Sequence, residues 1–272
     1  MKRCVVTIAS SAVLDRVRAL MRGVAEHHAG VDRVCVLVAR DARQAEALGD
    51  EFTILPVTAL GLPDGDDLLF AHDFPALLAA AQPWIFEHLF AGGYDAVIFL
   101  APHVGIHGPL VEIFDRLATS ADVVLTPHAI GPPAADAAGA AWQAVMGVYS
   151  PDVLALNRAD DVDRMLRWWR GELQRGDSAP HHDGLAADRR CREAIPAVCA
   201  RTAVLRHPGY NVGRWNLAER RLTLAADGML RADGQPLVLF NHVGFDSLAP
   251  ERPTAADPAP VTDEVALAVV RD

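Results

Sequence analysis

The sequence predicts an α/β fold, with a mostly parallel central sheet flanked by helices and a smaller, irregular region behind it. Three observations lead there. Short β-branched runs alternate with stretches of helical apolar spacing through the first half of the chain. Asp95-Ala96-Val97-Ile98-Phe99-Leu100 is almost continuously apolar, as suits a central strand buried on both faces. The second half carries short strands and a hairpin signal at Asp227-Gly228 in place of further alternation.

The elements follow in order. Val5 to Ile8 is a β-branched strand, after which Ser10 or Ser11 is expected to cap a helix carrying Val13, Val17, Leu20, Met21 and Val24 at helical spacing. Val34 to Val38 is a second strand, Asp41 to Leu48 a short helix and Phe52 to Leu55 a third strand, giving β-α-β-α-β. Leu60 to Gly65 reads as a turn. A long helix over Pro75 to Phe90 delivers the chain to the central strand, which opens into Ala101 to Gly108. A helix with Val111, Phe114 and Leu117 precedes the strand Val123-Val124-Leu125, which ends at Thr126-Pro127-His128. Ligands of open α/β sheets sit beyond the carboxyl ends of the strands, so the loops after Leu100 and Leu125 flank the expected cleft.

Beyond it, Ile130 to Ala141 reads as a flexible loop. Val153 to Leu156 reads as a strand, Ala159 to Gln174 as a helix, and Ser178 to Gly184 as a polar loop. Leu222 to Leu224, Met229-Leu230 and Leu237 to Phe240 are short strands. One domain is expected over residues 1–247. Residues 248–272 form a Pro/Ala-rich tail, partly disordered, in which Val265 to Val270 docks as one short element. Trp142, Trp168 and Trp169 are assigned to packing.

The chain has 272 residues, 51% apolar and 22% charged, enough to build a substantial core. A formal charge of −10 disfavours nucleic acid and anionic lipid as partners. It also obliges any diphosphate ligand to find a local concentration of donors. Cys4, Cys35, Cys191 and Cys199 show no C-x-x-C spacing and read as reduced thiols. The apolar run after Lys2-Arg3 is short, broken by Ser10-Ser11 and continuous with a helix, so it is not read as a signal peptide. No run is long enough to span a bilayer. The expected location is cytoplasmic; the oligomeric state is left open. No dinucleotide-binding glycine fingerprint, P-loop, serine elbow or H-E-x-x-H motif is present.

Several stretches together resemble the bacterial nucleotide-diphospho-sugar glycosyltransferases of GT-A fold, over roughly residues 4 to 250. Thr7-Ile8-Ala9-Ser10 is similar to the family's opening strand and base-binding turn, and Gln82-Pro83-Trp84 to its Lys-Pro-Trp. Phe99 to His103 stands where the family has Tyr-Leu-Asp-Pro-Asp, and Leu125 to His128 matches closely. The run Arg206-His207-Pro208-Gly209-Tyr210-Asn211-Val212, with Arg214-Trp215-Asn216-Leu217 and Glu219-Arg220-Arg221, is the most specific match. Asn241 to Asp246 occupies the place of His-Phe-Ser-Gly-Phe-Asp.

The resemblance implies an enzyme that moves a sugar from a UDP-, GDP- or dTDP-sugar to an acceptor, on a GT-A-like core with a smaller acceptor-side region. In the family an Asp-x-Asp holds a divalent metal that neutralises the leaving diphosphate, and a late histidine supports the same group. Here Asp-x-Asp has become Ala101-x-His103, the lysine Gln82, and the late histidine Asn241 followed by His242. The family's Asn-Leu-Gly has become Ser150-Pro151-Asp152, and its Asp-Gln resembles Asp188-Arg189. Mn²⁺ or Mg²⁺ is allowed but not expected, because one imidazole facing an alanine is a poor site for a hard cation.

His103, Asp188 and His242 are therefore the expected catalytic residues. His103 would donate to a diphosphate oxygen, or else be a loop histidine that fills space. Asp188 would be the base for the acceptor hydroxyl, or a surface carboxylate. Thr7, Ala9, Ser10, Gln82, His128, Arg189, Asn211, Trp215, Asn216 and Asn241 are expected to bind the donor. Tyr210, Asn211, Trp215 and Asn216 also suit a packed rim. Arg189 and Arg190 are either compensating cations or a solvated helix face. Asp152 is an acceptor contact or a turn residue, and His107 caps or solvates the next helix. His103, His107, His128 and His242 do not have a recognised zinc-ligand spacing. The competing expectation is a catalytically silent relative that binds a sugar nucleotide, a glycan or a protein.

Overall fold

The structure is a computed structural model that describes residues 1–38, 51–62, 74–132, 146–176, 184–246, 249–252 and 261–271. The helix expected over Asp41 to Leu48, most of the loop after Ile130, His181-His182 and Trp142 lie outside the described residues. The first half runs β1 (Arg3–Ser10), α1 (Leu14–His27), β2 (Asp32–Val38), β3 (Thr53–Pro56), α2 (Phe74–Ala91), β4 (Ala96–Leu100), β5 (Val104–Ile106), α3 (Val111–Thr119) and β6 (Val123–Pro127). The second half adds β7 (Tyr149–Asn157), α4 (Asp160–Gly176), α5 (Gly184–Val198), β8 (Thr202–Val204) and β9 (Val212–Gly213). The chain ends with β10 (Leu222–Leu224), β11 (Leu230–Ala232), β12 (Gln235–Pro236), β13 (Leu239–Asn241) and α6 (Glu264–Arg271).

Among the described residues, seven strands form the main sheet in the order β3-β2-β1-β4-β7-β6-β8. Every pair is parallel except the two made by β7, which runs antiparallel to both β4 and β6. The chain leaves β1 for β2 on one side, while β4 lies on its other side. The carboxyl ends of β1 and β4 thus sit at the switch point where crevices form in such sheets. The apolar run that predicts a central strand is buried throughout, from Ala96 to Leu100.

Several elements depart from expectation. Ser10 precedes a 3₁₀ turn, Ser11–Val13, and its side chain caps nothing; α1 begins one turn later. The long helix α2 continues through Pro83. The strand expected at Val153 extends back to Tyr149, because Ser150 and Asp152 are buried polar residues that interrupt its apolar pattern. α5 was hidden by its charge: Asp188 and Arg192, one helical turn apart, are both buried as an ion pair. At the start of α3 the N–H of Leu110 donates to His28 Nε2 over 2.8 Å.

A second, small sheet of β5, β13 and β9 lies at the mouth of β4, with β13 antiparallel to β5 and parallel to β9. The Asp227-Gly228 hairpin pairs β10 with β11. In α6, Ala266 and Val269 pack with Val212, Leu222, Leu237 and Phe240, so the element near Val265 docks onto this smaller core. All four cysteines are buried thiols. No helix of the described residues is long and apolar enough to cross a membrane.

Candidate functional site

Three strand ends meet beyond β4. The Ala101 N–H donates to Asp152 O over 2.9 Å, and Val104 N–H to Ala101 O over 3.0 Å, which folds Ala101 to Val104 into a tight turn. His103 sits on that turn. Asp152 belongs to the first residues of β7, next to Val153, which pairs with Leu100. Asn241 ends β13 opposite Val104. His103 Nε2 lies 3.1 Å from Asp152 Oδ1, with 19% of the imidazole side chain exposed. Asn241 Nδ2 donates to Asp152 Oδ2 over 2.7 Å.

Both oxygens of a buried carboxylate are thus engaged. Burial alone would push the Asp152 carboxyl up. The nearby charge of His103, the hydrogen bond from Asn241 and the charge of His128 outweigh it and hold the carboxyl down at about 2. The sequence leaves Asp152 as an acceptor contact or a turn residue; the structure makes it the buried partner of His103 and Asn241.

The cluster extends inward. Asn241 Nδ2 also reaches Asn211 Oδ1 at 3.3 Å, and Ser150 Oγ accepts from the Asp152 N–H at 3.2 Å. Asn211 has φ 54°, a left-handed conformation that asparagine tolerates better than most residues. Nearby, a Cβ added at Gly209 would stand 1.9 Å from Pro236 O, so only glycine allows this approach. His128 is 1% exposed at the end of β6. Its carbonyl accepts from Trp215 Nε1 at 3.1 Å and Asn216 Nδ2 at 2.8 Å, and Trp215 meets its ring edge-on at 5.5 Å. Arg220, buried completely, donates to Tyr210 O and, over 3.4 Å, to His128 O. The Arg206 to Arg221 run is therefore a packed frame behind His128, and Asn216 is spent on holding it.

Other expected site residues lie deeper. Gln82 is buried, and its Nε2 donates to Pro151 O over 2.8 Å while its Oε1 accepts from Arg192 over 3.4 Å. Arg192 in turn holds Asp188 at 2.6 Å and lies 5.5 Å over the Trp169 ring. Asp188 is 2% exposed, and burial pushes its carboxyl up despite Arg192. It is an internal ion-pair partner, enclosed where an acceptor base would have to be open. The stem of Arg189 lies against Gly147. Thr7 and Ala9 are buried within β1, and Ser10 is half-buried at its carboxyl end.

His242 lies beside the cluster, its N–H donating to His103 O over 2.9 Å. At the turn after β4 Ala101 offers no donor to a divalent metal, and the nearby carboxylate and imidazole are held by one another and by Asn241. Among the described residues no group of three or more His, Cys, Asp or Glu is arranged to hold a metal ion.

No family model matches the sequence, and no curated protein is significantly similar to it. Solved structures are similar in fold. The galactosyltransferase LgtC in complex with donor and acceptor sugar analogues superposes with a TM-score of 0.56 at 13% identity, covering 98% of this chain and 95% of that one. The glycosyltransferase GlyE of Streptococcus pneumoniae TIGR4 gives 0.54 at 12% identity, over all of this chain and 61% of its own. The bifunctional glycosyltransferase WbbM gives 0.50 at 16% identity over 78% of this chain, which spans only 40% of WbbM. The mixed sheet, its flanking helices and these likenesses give the chain the fold of the GT-A glycosyltransferases.

Proposed function

We propose that this chain transfers a sugar from a nucleotide-diphosphate donor to an acceptor hydroxyl, and that His103 takes the place of a metal at the leaving diphosphate. One observation carries the reading: a partly exposed imidazole at the carboxyl end of β4, held by a buried carboxylate. When the bond from the anomeric carbon to the diphosphate oxygen breaks, its electron pair stays on that oxygen. An N–H donor or imidazolium there stabilises the charge as it develops. Asp152, fixed by Asn241, orients the ring, as a carboxylate does for histidine elsewhere. The acceptor oxygen bonds to the anomeric carbon and its proton leaves to a base.

Ser10, at the end of β1, is the remaining expected base-binding contact with an accessible side chain, while Thr7 and Ala9 shape the floor beneath it. Trp215 and Arg189 line the rim in this reading, and His242 supports the diphosphate. Asp188 and Gln82 act as positioning residues through Arg192 and Pro151.

The test is release of nucleoside diphosphate from UDP-, GDP- and dTDP-sugars, by wild type and by His103→Ala. Release by wild type that falls at least about a hundredfold in the variant supports the reading, a loss of the size seen when an oxyanion donor is removed. Donor binding without any release identifies a silent sugar-nucleotide-binding relative instead.

A further inference from the structure

The sequence expects Asn211 on the donor, yet the structure encloses it completely. Its Nδ2 donates to Pro127 O over 3.4 Å at the end of β6, and its Oδ1 accepts from Asn241 Nδ2 over 3.3 Å. Asn241 passes the contact on, donating to Asp152 Oδ2 over 2.7 Å, and Asp152 Oδ1 faces His103 Nε2 at 3.1 Å. A line of buried side chains thus joins the end of β6 to the turn after β4, where the partly exposed imidazole sits. The register explains why. Gly213 pairs with Asn241 across the parallel strands β9 and β13, which brings Asn211, the residue before β9, to the flank of Asn241.

The polarity of the line is fixed by its ends. Pro127 O and the Asp152 carboxylate can only accept, and the Val243 N–H, 3.0 Å from Asn241 Oδ1, can only donate. Each amide therefore has one orientation that satisfies every partner, and the Asn211 oxygen receives the second Nδ2 proton of Asn241. Ser150 Oγ donates to that same oxygen over 3.5 Å and accepts the Asp152 N–H over 3.2 Å. Asn211 holds its place at φ 54°, a backbone that glycine adopts without strain, so the side chain is what asparagine adds there. Asn216 Nδ2 donates to Asn211 O over 3.0 Å and pins that backbone.

We infer that Asn211 is the positioning residue of His103. It orients the Asn241 amide towards Asp152, whose other oxygen is kept for the imidazole, and it touches neither donor nor acceptor. The inference rests on the transferase reading for its effect on turnover, but not for its effect on His103. With the Asn211 oxygen gone, one Nδ2 proton of Asn241 loses its acceptor, and the amide turns away from Asp152 to find another. Asp152 then loses the donor that fixes it, and the imidazole loses a rigid partner at the leaving diphosphate.

The experiment compares the full chain with Asn211→Gly and Asn211→Asp, the fold of each checked by circular dichroism. Glycine keeps the left-handed backbone and removes the amide. Aspartate, neutral when buried, keeps an oxygen for Asn241 and an O–H for Pro127 O. In nitrogen–proton spectra of the imidazoles, the His103 resonances are expected to move in Asn211→Gly and to return towards wild type in Asn211→Asp. Those of His27, at the far end of α1, stay in place. In nucleoside diphosphate release from UDP-, GDP- and dTDP-sugars, Asn211→Gly should lower kcat about tenfold and leave the donor KM within about threefold. Added to His103→Ala, it should cost almost nothing further, because its effect runs through the missing imidazole. Unchanged His103 resonances in Asn211→Gly overturn the inference, as do additive losses in that cycle or a loss carried by KM. Wild type without release removes only the transferase reading, and the His103 spectra still decide the line. Release with unmoved His103 resonances removes only the positioning role.

Discussion

Asp152 Oδ1 and His103 Nε2 stand 3.1 Å apart, joining the start of an antiparallel strand to the turn that leaves its parallel neighbour. The carboxylate therefore lies on the strand beside that turn, where it faces an imidazole and Asn241.

This geometry predicts a coupled response to mutation. His103→Ala leaves the buried Asp152 carboxylate with Asn241 alone, so the carboxyl rises and stability in urea falls by about 1–3 kcal/mol. Asp152→Asn keeps the shape and removes the charge, so the double variant His103→Ala/Asp152→Asn is more stable than His103→Ala. Additive losses in that cycle contradict a direct pair.

The Asp188–Arg192 pair is buried on both sides and should be costly to break. Arg192→Met strands an uncompensated acid and is expected to lose about 3–5 kcal/mol, most of it regained in Asp188→Leu/Arg192→Met. Gln82 ties Arg192 to Pro151 O, one residue from Asp152. Gln82→Leu should therefore lower donor turnover more than it raises KM, as fits a residue that positions and does not bind.

Acid should weaken the fold through His128. Burial, the largest cause, holds its imidazole down at about 4 from an ordinary 6.5. Between those values the unfolded chain binds a proton that the folded chain refuses, so stability falls as pH drops from 6.5 to 4 and the effect levels off below. For this single buried group the loss is on the order of 3 kcal/mol. Melting temperatures across that range check it, and His128→Gln should flatten the slope. Asp152 adds a later loss, because its depressed carboxyl stabilises the fold above the ordinary range near 4 and stops doing so as pH falls to about 2.

Installing acids at the turn after β4 should create a metal site. Ala101→Asp and His103→Asp, combined with Asp152→Gly and Asn241→His, bring oxygen and imidazole donors to that turn. Mn²⁺ binding followed by water proton relaxation should appear in this variant and not in wild type.

Where burial follows apolar pattern, the sequence announced the structure. Ala96 to Leu100 reads as a central strand and is one, and Val17, Leu20, Met21 and Val24 line the buried face of α1. It misled where polar groups are buried as partners. Asp188 reads as an acceptor base or a surface carboxylate, yet it and Arg192 neutralise each other inside the molecule. Ser150 and Asp152 hid the first turn of β7 for the same reason. The three residues of the His103 cluster are separated in sequence by dozens of positions, and only the strand order brings them together. Element order did place His103 at the end of β4, because that inference needs topology and no side-chain detail.

Donor binding with and without metal tests whether His103 stands in for a cation. UDP-, GDP- and dTDP-sugars are titrated against wild type in EDTA and in Mn²⁺, alongside His103→Ala. One donor class is expected to bind equally well in both conditions and at least about tenfold more weakly in the variant. Binding that requires Mn²⁺, or that His103→Ala leaves unchanged, contradicts it.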